Sequence, residues 1–201
     1  MIKNIIFDLG GVILTHKKSL IEDILSLIFN VSVNSAKSEY LLHKSDLRTG
    51  KINTKQFLQI LKLKFNSPKV LENLVSEYEN EYRQVALIDK DLLSLIRSIS
   101  KKYNVCLMTD TLDLHDKYNS KRNIYSHFNK VFKSYEEGLI KPDIKAFLNV
   151  LVKINSLPDG CVFIDDLQEN INAATGIGMI GILYKDLESL KMELRKIGVN
   201  F

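Results

Sequence analysis

Four short stretches of this chain end an apolar run in a side chain that could do chemistry: Asp8, the Thr109-Asp110-Thr111 step, Lys141 ahead of Pro142, and the adjacent acids Asp165 and Asp166. Asp8 is followed closely by Gly10 and Gly11, so a carboxylate is delivered where the backbone can come close to a ligand. Taken singly, each has a plain structural explanation: a turn residue, a strand-end hydroxyl, a solvated lysine, a helix-capping pair. Together they put acids, a hydroxyl and an ammonium at successive strand-to-helix junctions. Gathered carboxylates repel one another unless a cation joins them, and hard oxygen donors at an open site suit magnesium.

Such residues converge only if the elements bearing them line up. Ile5-Ile6-Phe7, Asn104 to Thr109, Lys130 to Ser134, Cys161 to Asp165 and Ile180 to Tyr184 read as short apolar strands. From Asp89 onward they alternate with amphipathic helices, such as Leu92-Leu95-Ile96-Ile99 and Ile144-Phe147-Leu148-Leu151-Val152. That alternation predicts βαβ units in a parallel, Rossmann-like α/β sheet, which binds ligands beyond the carboxyl ends of its strands. A last helix is expected from Asp186.

Between about His16 and Ile88 the pattern is helical throughout. Leu20, Ile21, Ile24, Leu25 and Ile28 share a face, and Asn34 is expected to cap a helix through Tyr40 and Leu41. Leu47 to Ile52 reads as a loop. Asn53 with Gln56 has the form of a capping box before Phe57, Ile60 and Leu61, and Ser67-Pro68 is expected to open a fourth helix. The expected organisation is an α/β core of residues 1–15 and 89–201 with an inserted helical bundle of residues 16–88.

The chain has 201 residues and a net charge of +4, spread over scattered lysines without a dense basic block. Nucleic acid is not an expected partner, and the charge suggests at most a mild attraction for small anions. No apolar stretch is long enough to span a membrane, and Asp8 interrupts what could otherwise be a signal peptide. Cys106 and Cys161 sit in apolar strands, as buried free thiols do, so a cytoplasmic location is expected.

The segments Phe7-Asp8-Leu9-Gly10-Gly11-Val12, Leu107-Met108-Thr109-Asp110-Thr111, Gly138-Leu139-Ile140-Lys141-Pro142-Asp143, and Phe163-Ile164-Asp165-Asp166 with Asn170 and Ala173-Ala174 resemble, in order and spacing, the four motifs of the haloacid dehalogenase-like hydrolase superfamily. The insert is similar to that superfamily's C1 cap. The glycine pair and the paired acids are most similar to the branch of the epoxide hydrolase phosphatase domain and related sugar-phosphate phosphatases.

The resemblance implies a magnesium-dependent phosphatase acting on a small phosphorylated substrate. Asp8 would be the nucleophile, forming an aspartyl-phosphate. Thr109, with backbone N–H groups near Gly11 and Asp110, would hold the phosphoryl oxygens. Lys141 would stabilise charge and keep Asp8 ionised. Asp8, the Gly10 carbonyl, Asp165 and Asp166 would serve the metal. Asp166 is favoured as the direct ligand, since neighbouring residues of a strand point to opposite faces, with Asp165 acting through water or by orientation and Asn170 in support. Lys44, Arg48, Thr49 and Lys51 are candidates for reading the substrate.

The sequence departs from the pattern at Gly10, where most phosphatases of the superfamily have a second aspartate as general acid and base. Losing such a group typically costs about 10²–10⁴ in rate. His16 and His115 are the alternative proton carriers. Asp110 replaces the usual asparagine and adds a negative charge that would weaken phosphate binding unless it pairs with a lysine, and Thr15 stands where many members have an acid. A phosphate-binding or regulatory protein without turnover is therefore the second reading. Dehalogenation, which needs no metal, fits poorly with so many carboxylates.

Overall fold

The structure is a computed structural model and describes residues 1–15 and 20–201. In chain order the elements are β1 (Asn4–Phe7), β2 (Leu14–Thr15), α1 (Leu20–Phe29), α2 (Val33–Arg48), α3 (Thr54–Lys64), α4 (Leu71–Val85), β3 (Leu87–Ile88), α5 (Lys90–Ile99), β4 (Asn104–Thr109), α6 (Asp113–Ser120), β5 (Lys130–Lys133), α7 (Ser134–Glu137), α8 (Ile144–Lys153), β6 (Cys161–Asp165), α9 (Gln168–Gly176), β7 (Ile180–Leu183) and α10 (Leu187–Lys196).

Five strands form one parallel sheet in the order β5-β4-β1-β6-β7. Both faces are covered, so the strands are apolar on both sides. Ile5, Phe7, Val105, Leu107, Val162 and Ile164 pack with α5 and α10 on one face. Ile6, Cys106, Met108, Cys161 and Phe163 pack with α8 and α9 on the other, where both cysteines are buried free thiols. The chain runs outward from β1 in both directions, which makes the carboxyl end of β1 the switch point where ligands bind in such sheets.

The register decides which residues meet there. Phe7 pairs with Leu107 on one side and Ile164 on the other, so Asp8 comes level with Met108 and Asp165.

Helices α1–α4 gather Ile24, Leu25, Tyr40, Leu47, Phe57, Leu58, Leu74 and Tyr78 into their own apolar cluster, which extends onto Leu112 and Leu114. The chain leaves and rejoins the sheet through a two-stranded antiparallel ribbon, β2 with β3, that the sequence reading did not anticipate. Two-residue strands are too short to show a period.

Three local expectations are corrected. The second helix begins after Ser32, whose hydroxyl accepts the Ser35 N–H at 3.1 Å, and runs to Arg48, so Leu47 and Arg48 are helical rather than loop. The fourth helix starts at Leu71 and not at Ser67-Pro68. Helices α6 and α7 were not foreseen, being short and largely polar. The Asn53–Gln56 capping box and the Asp186 cap form as expected. Among the described residues, no helix is long and apolar enough to cross a membrane.

Candidate active site

Asp8 follows β1 directly, and its backbone N–H donates to the Ile164 carbonyl at 2.8 Å, carrying the sheet register one residue further. Its carboxylate accepts from Lys141 Nζ at 2.6 Å. The same ammonium donates to Asp165 Oδ2 at 2.7 Å and to the Met108 carbonyl at 3.3 Å, which uses its three protons. Lys141 thus ties the ends of three neighbouring strands together.

Burial of Asp8, opposed by the Lys141 ammonium and reinforced by Asp165, pushes its carboxyl up to about 7. The Lys141 ammonium favours the ionised form of Asp8, while desolvation by burial outweighs that pull where no cation is bound. Burial works against the charged form of Lys141 as well, but Asp8 and Asp165 more than offset it and raise the ammonium above its ordinary value.

Asp165 is fully buried. Its Oδ1 accepts from the Leu167 N–H at 2.9 Å, and Asn170 Nδ2 donates to both oxygens at 3.0 Å. β6 ends at Asp165 and the chain bends before α9, so Asp166 is not thrown to the opposite face. Carboxylate oxygens of Asp8, Asp165 and Asp166 all lie within 4.8 Å of one another.

Gly11 makes this approach feasible. It sits at φ +79°, and a Cβ there would fall 2.2 Å from Asp166 Oδ2. Its own N–H donates to the Leu14 carbonyl at 2.8 Å, so its visible contribution is room for Asp166 rather than a free donor for phosphate. Gly10 lies in the same turn and lines the cavity.

Thr109, buried at the end of β4, and Asp110 face that cavity, which has a volume of about 450 Å³. Asp110 Oδ1 accepts the Lys141 N–H at 3.2 Å, and Oδ2 forms an ion pair with Arg48 at 3.7 Å. Burial raises the Asp110 carboxyl, with Lys141 and Arg48 pulling against it. Arg48 also donates from Nε to the Tyr40 hydroxyl at 3.0 Å.

Of the insert residues singled out from the sequence, Lys44 and Arg48 line the cavity. Thr49 donates to the Ser45 carbonyl at 2.7 Å, and Lys51 pairs with Asp46 on the surface. Tyr40 and Tyr82 also line the cavity. The spacing 40, 44, 48 on one helical face was the available signal. His115 is buried, stacked on Tyr82 with ring centroids 3.8 Å apart, and its Nε2 shares a hydrogen bond of 2.8 Å with the Tyr78 hydroxyl. His16 lies outside the described residues.

A profile described as haloacid dehalogenase-like hydrolase matches residues 5–183. The chain belongs to that family. Among its relatives, the bifunctional epoxide hydrolase 2 of Rattus norvegicus is 29% identical over 129 residues, 61% of this chain and 23% of that protein. The chain therefore spans about a quarter of the epoxide hydrolase's length. The sesquiterpene phosphatase astK of Aspergillus oryzae is 26% identical over 200 residues, 97% of this chain and 96% of the relative. A HAD family enzyme from Bacteroides thetaiotaomicron, solved with magnesium and inorganic phosphate, superposes with a TM-score of 0.81 at 22% identity, covering 94% of this chain and 99% of that one. At that identity the likeness establishes the shared fold.

Proposed function

We propose that this member of the hydrolase family is a magnesium-dependent phosphatase that hydrolyses a small phosphorylated metabolite through an aspartyl-phosphate on Asp8. The observation that carries the reading is the convergence of the Asp8, Asp165 and Asp166 oxygens within 4.8 Å, with Lys141 bound to two of the three.

The donor set fits a hard divalent cation. Every candidate ligand is a carboxylate or carbonyl oxygen, and Asn170 Oδ1 is buried without a hydrogen-bond partner among the described residues, as an acceptor waiting for a bound water would be. Asp8, Asp166 and the Gly10 carbonyl would hold the ion, while Asp165 orients the set through Asn170 and Lys141. Magnesium, when bound, supplies positive charge that relieves repulsion between the anionic nucleophile and an anionic substrate.

An Asp8 oxygen attacks phosphorus as the bond to the leaving oxygen breaks, and water then cleaves the acyl-phosphate to release phosphate and regenerate the carboxylate. Thr109 hydrogen-bonds a phosphoryl oxygen, and Lys141 supplies a fixed charge to the transition state.

Residues 16–88 would act as a cap over a core of 1–15 and 89–201, closing a cavity where Leu9, Ile21, Leu41 and Tyr82 meet Lys44 and Arg48. The relative named as a sesquiterpene phosphatase supports a phosphorylated organic substrate.

Purified protein with magnesium should release phosphate from some member of a panel of sugar phosphates, nucleotides, isoprenoid phosphates and aryl phosphates, and Asp8→Asn should abolish release. Full turnover by that variant would refute the nucleophile assignment. Gly10, in place of the usual second aspartate, favours a second reading in which the site binds phosphate without turning over. Tight phosphate binding with no product from any ester would select it.

A further inference from the structure

Asp110 brings a fourth carboxylate to a site that already gathers Asp8, Asp165 and Asp166. It lies one residue beyond Thr109, on the turn where a phosphoryl group would sit. Its Oδ1 is held by the Lys141 N–H, while its Oδ2 faces Arg48 Nη1 at 3.7 Å. The two side chains are only 13% and 26% exposed, so water and salt screen the pair less than a surface one.

The partners come from different parts of the chain. Asp110 follows β4 of the sheet, whereas Arg48 is the last residue of α2 in the insert. Tyr40, two helical turns earlier, fixes the guanidinium from behind by accepting from Nε at 3.0 Å.

The charges around the cavity are then nearly matched. The carboxylates of Asp8, Asp110, Asp165, Asp166 and Glu22 stand against Lys141, Arg48 and Lys44, and the remaining double negative charge is what one divalent cation matches. Without Arg48, the site would present surplus negative charge to an incoming phosphate.

We propose that Arg48 is the counter-ion of Asp110, and that this insert-to-core pair sets the site's affinity for the phosphoryl group through charge balance rather than through contact of Arg48 with substrate. The inference rests on the phosphatase reading above. Arg48 and Asp110 are then positioning residues, and phosphate affinity depends on how α2 is seated over the turn after β4. A direct ligand and a counter-ion differ in one respect: only for a counter-ion does removing both charges restore what removing Arg48 takes away.

Titration calorimetry of inorganic phosphate into the full chain with magnesium present separates the two. Arg48→Gln should weaken phosphate binding by about tenfold or more, the effect of one uncompensated charge at close range. Arg48→Lys should stay near wild type, and Asp110→Asn alone should bind at least as tightly as wild type. Arg48→Gln/Asp110→Asn should return to within about threefold of wild type, a coupling read by the double-mutant cycle. For any ester turned over, KM should follow the same order while kcat changes less.

A double variant as weak as Arg48→Gln would make Arg48 a direct phosphate ligand and overturn the proposal, as would an Arg48→Gln protein of unchanged affinity. Glutamine keeps an amide within reach of Tyr40. Should that variant not fold, Asp110→Asn still decides, since weaker binding than wild type contradicts a charge-balance role. Folded wild type that binds no phosphate at all would instead overturn the phosphatase reading, and this inference with it.

Discussion

Lys141 shows how one side chain can be both structural and chemical. It is buried between two carboxylates, Asp8 at 2.6 Å and Asp165 at 2.7 Å. Removing one partner of such a cluster leaves uncompensated buried charge, which typically costs about 3–5 kcal/mol. Lys141→Ala is expected to lose stability on that scale in urea unfolding, besides losing turnover. Asp8 gives a pH signature. Its carboxyl ordinarily titrates at 3.8 but is pushed up to about 7 in the fold, chiefly by burial. Between those values the folded protein keeps a proton that the unfolded chain has released, so stability without added metal falls as pH rises through the window and levels off above it. Asp8→Asn is permanently neutral and escapes that fall. Its melting-temperature advantage over wild type, measured in chelator, should be larger at pH 8 than at pH 5; an equal gap at both would contradict the assignment.

At the level of elements, the junction between α2 and α7 places Arg48. Gly50, in the turn after α2, takes φ +74°, and a Cβ there would lie 2.2 Å from the Tyr135 carbonyl oxygen of α7. Backbone cannot yield as a flexible side chain does, and the left-handed conformation adds about 1–2 kcal/mol for any other residue. Gly50→Ala is expected to lower the melting temperature by about 5 °C in a thermal scan. The sequence led to the loop as a candidate substrate reader but not to its geometry. Arg48 was assigned to the loop, although it closes a helix on whose face Tyr40 and Lys44 already lie. Thr49 and Lys51 were grouped with it by proximity in sequence, yet they point to the helix carbonyls and to Asp46. Strands β4 and β6, by contrast, end where their apolar runs end, because a strand buried on both faces leaves its boundary in the composition itself.

Over the whole molecule, the insert and the sheet are joined through α6. Thr54 donates its N–H and hydroxyl to Asp113, Tyr78 meets His115, and Asn119 donates to the Tyr82 hydroxyl at 2.8 Å. Of these residues His115 and Tyr82 line the cavity, so ligand binding and global stability are linked. A cation bound by the folded chain alone stabilises it by about 2.7 kcal/mol at a hundred times its dissociation constant. Magnesium is therefore expected to raise the melting temperature in a concentration-dependent way, and Asp166→Asn to remove most of that rise. A melting temperature indifferent to magnesium in wild type would count against the cation site.

By itself, the sequence determined the alternation that makes the parallel sheet, the strand ends that bear Asp8, Thr109 and Asp165, the helical insert, and the missing acid at Gly10. The first three follow from local composition and period, and the last from the resemblance of the Phe7–Val12 segment to the hydrolase family's first motif. The tertiary structure decided what depends on register and on distant segments meeting. It brought Asp165 level with Asp8, bent the chain so that Asp166 joins them, committed the Gly11 N–H to Leu14, and set Arg48 against Asp110. No period in a chain records which strand lies beside which, or which helix end closes over which loop, because those contacts exist only once the layers have packed.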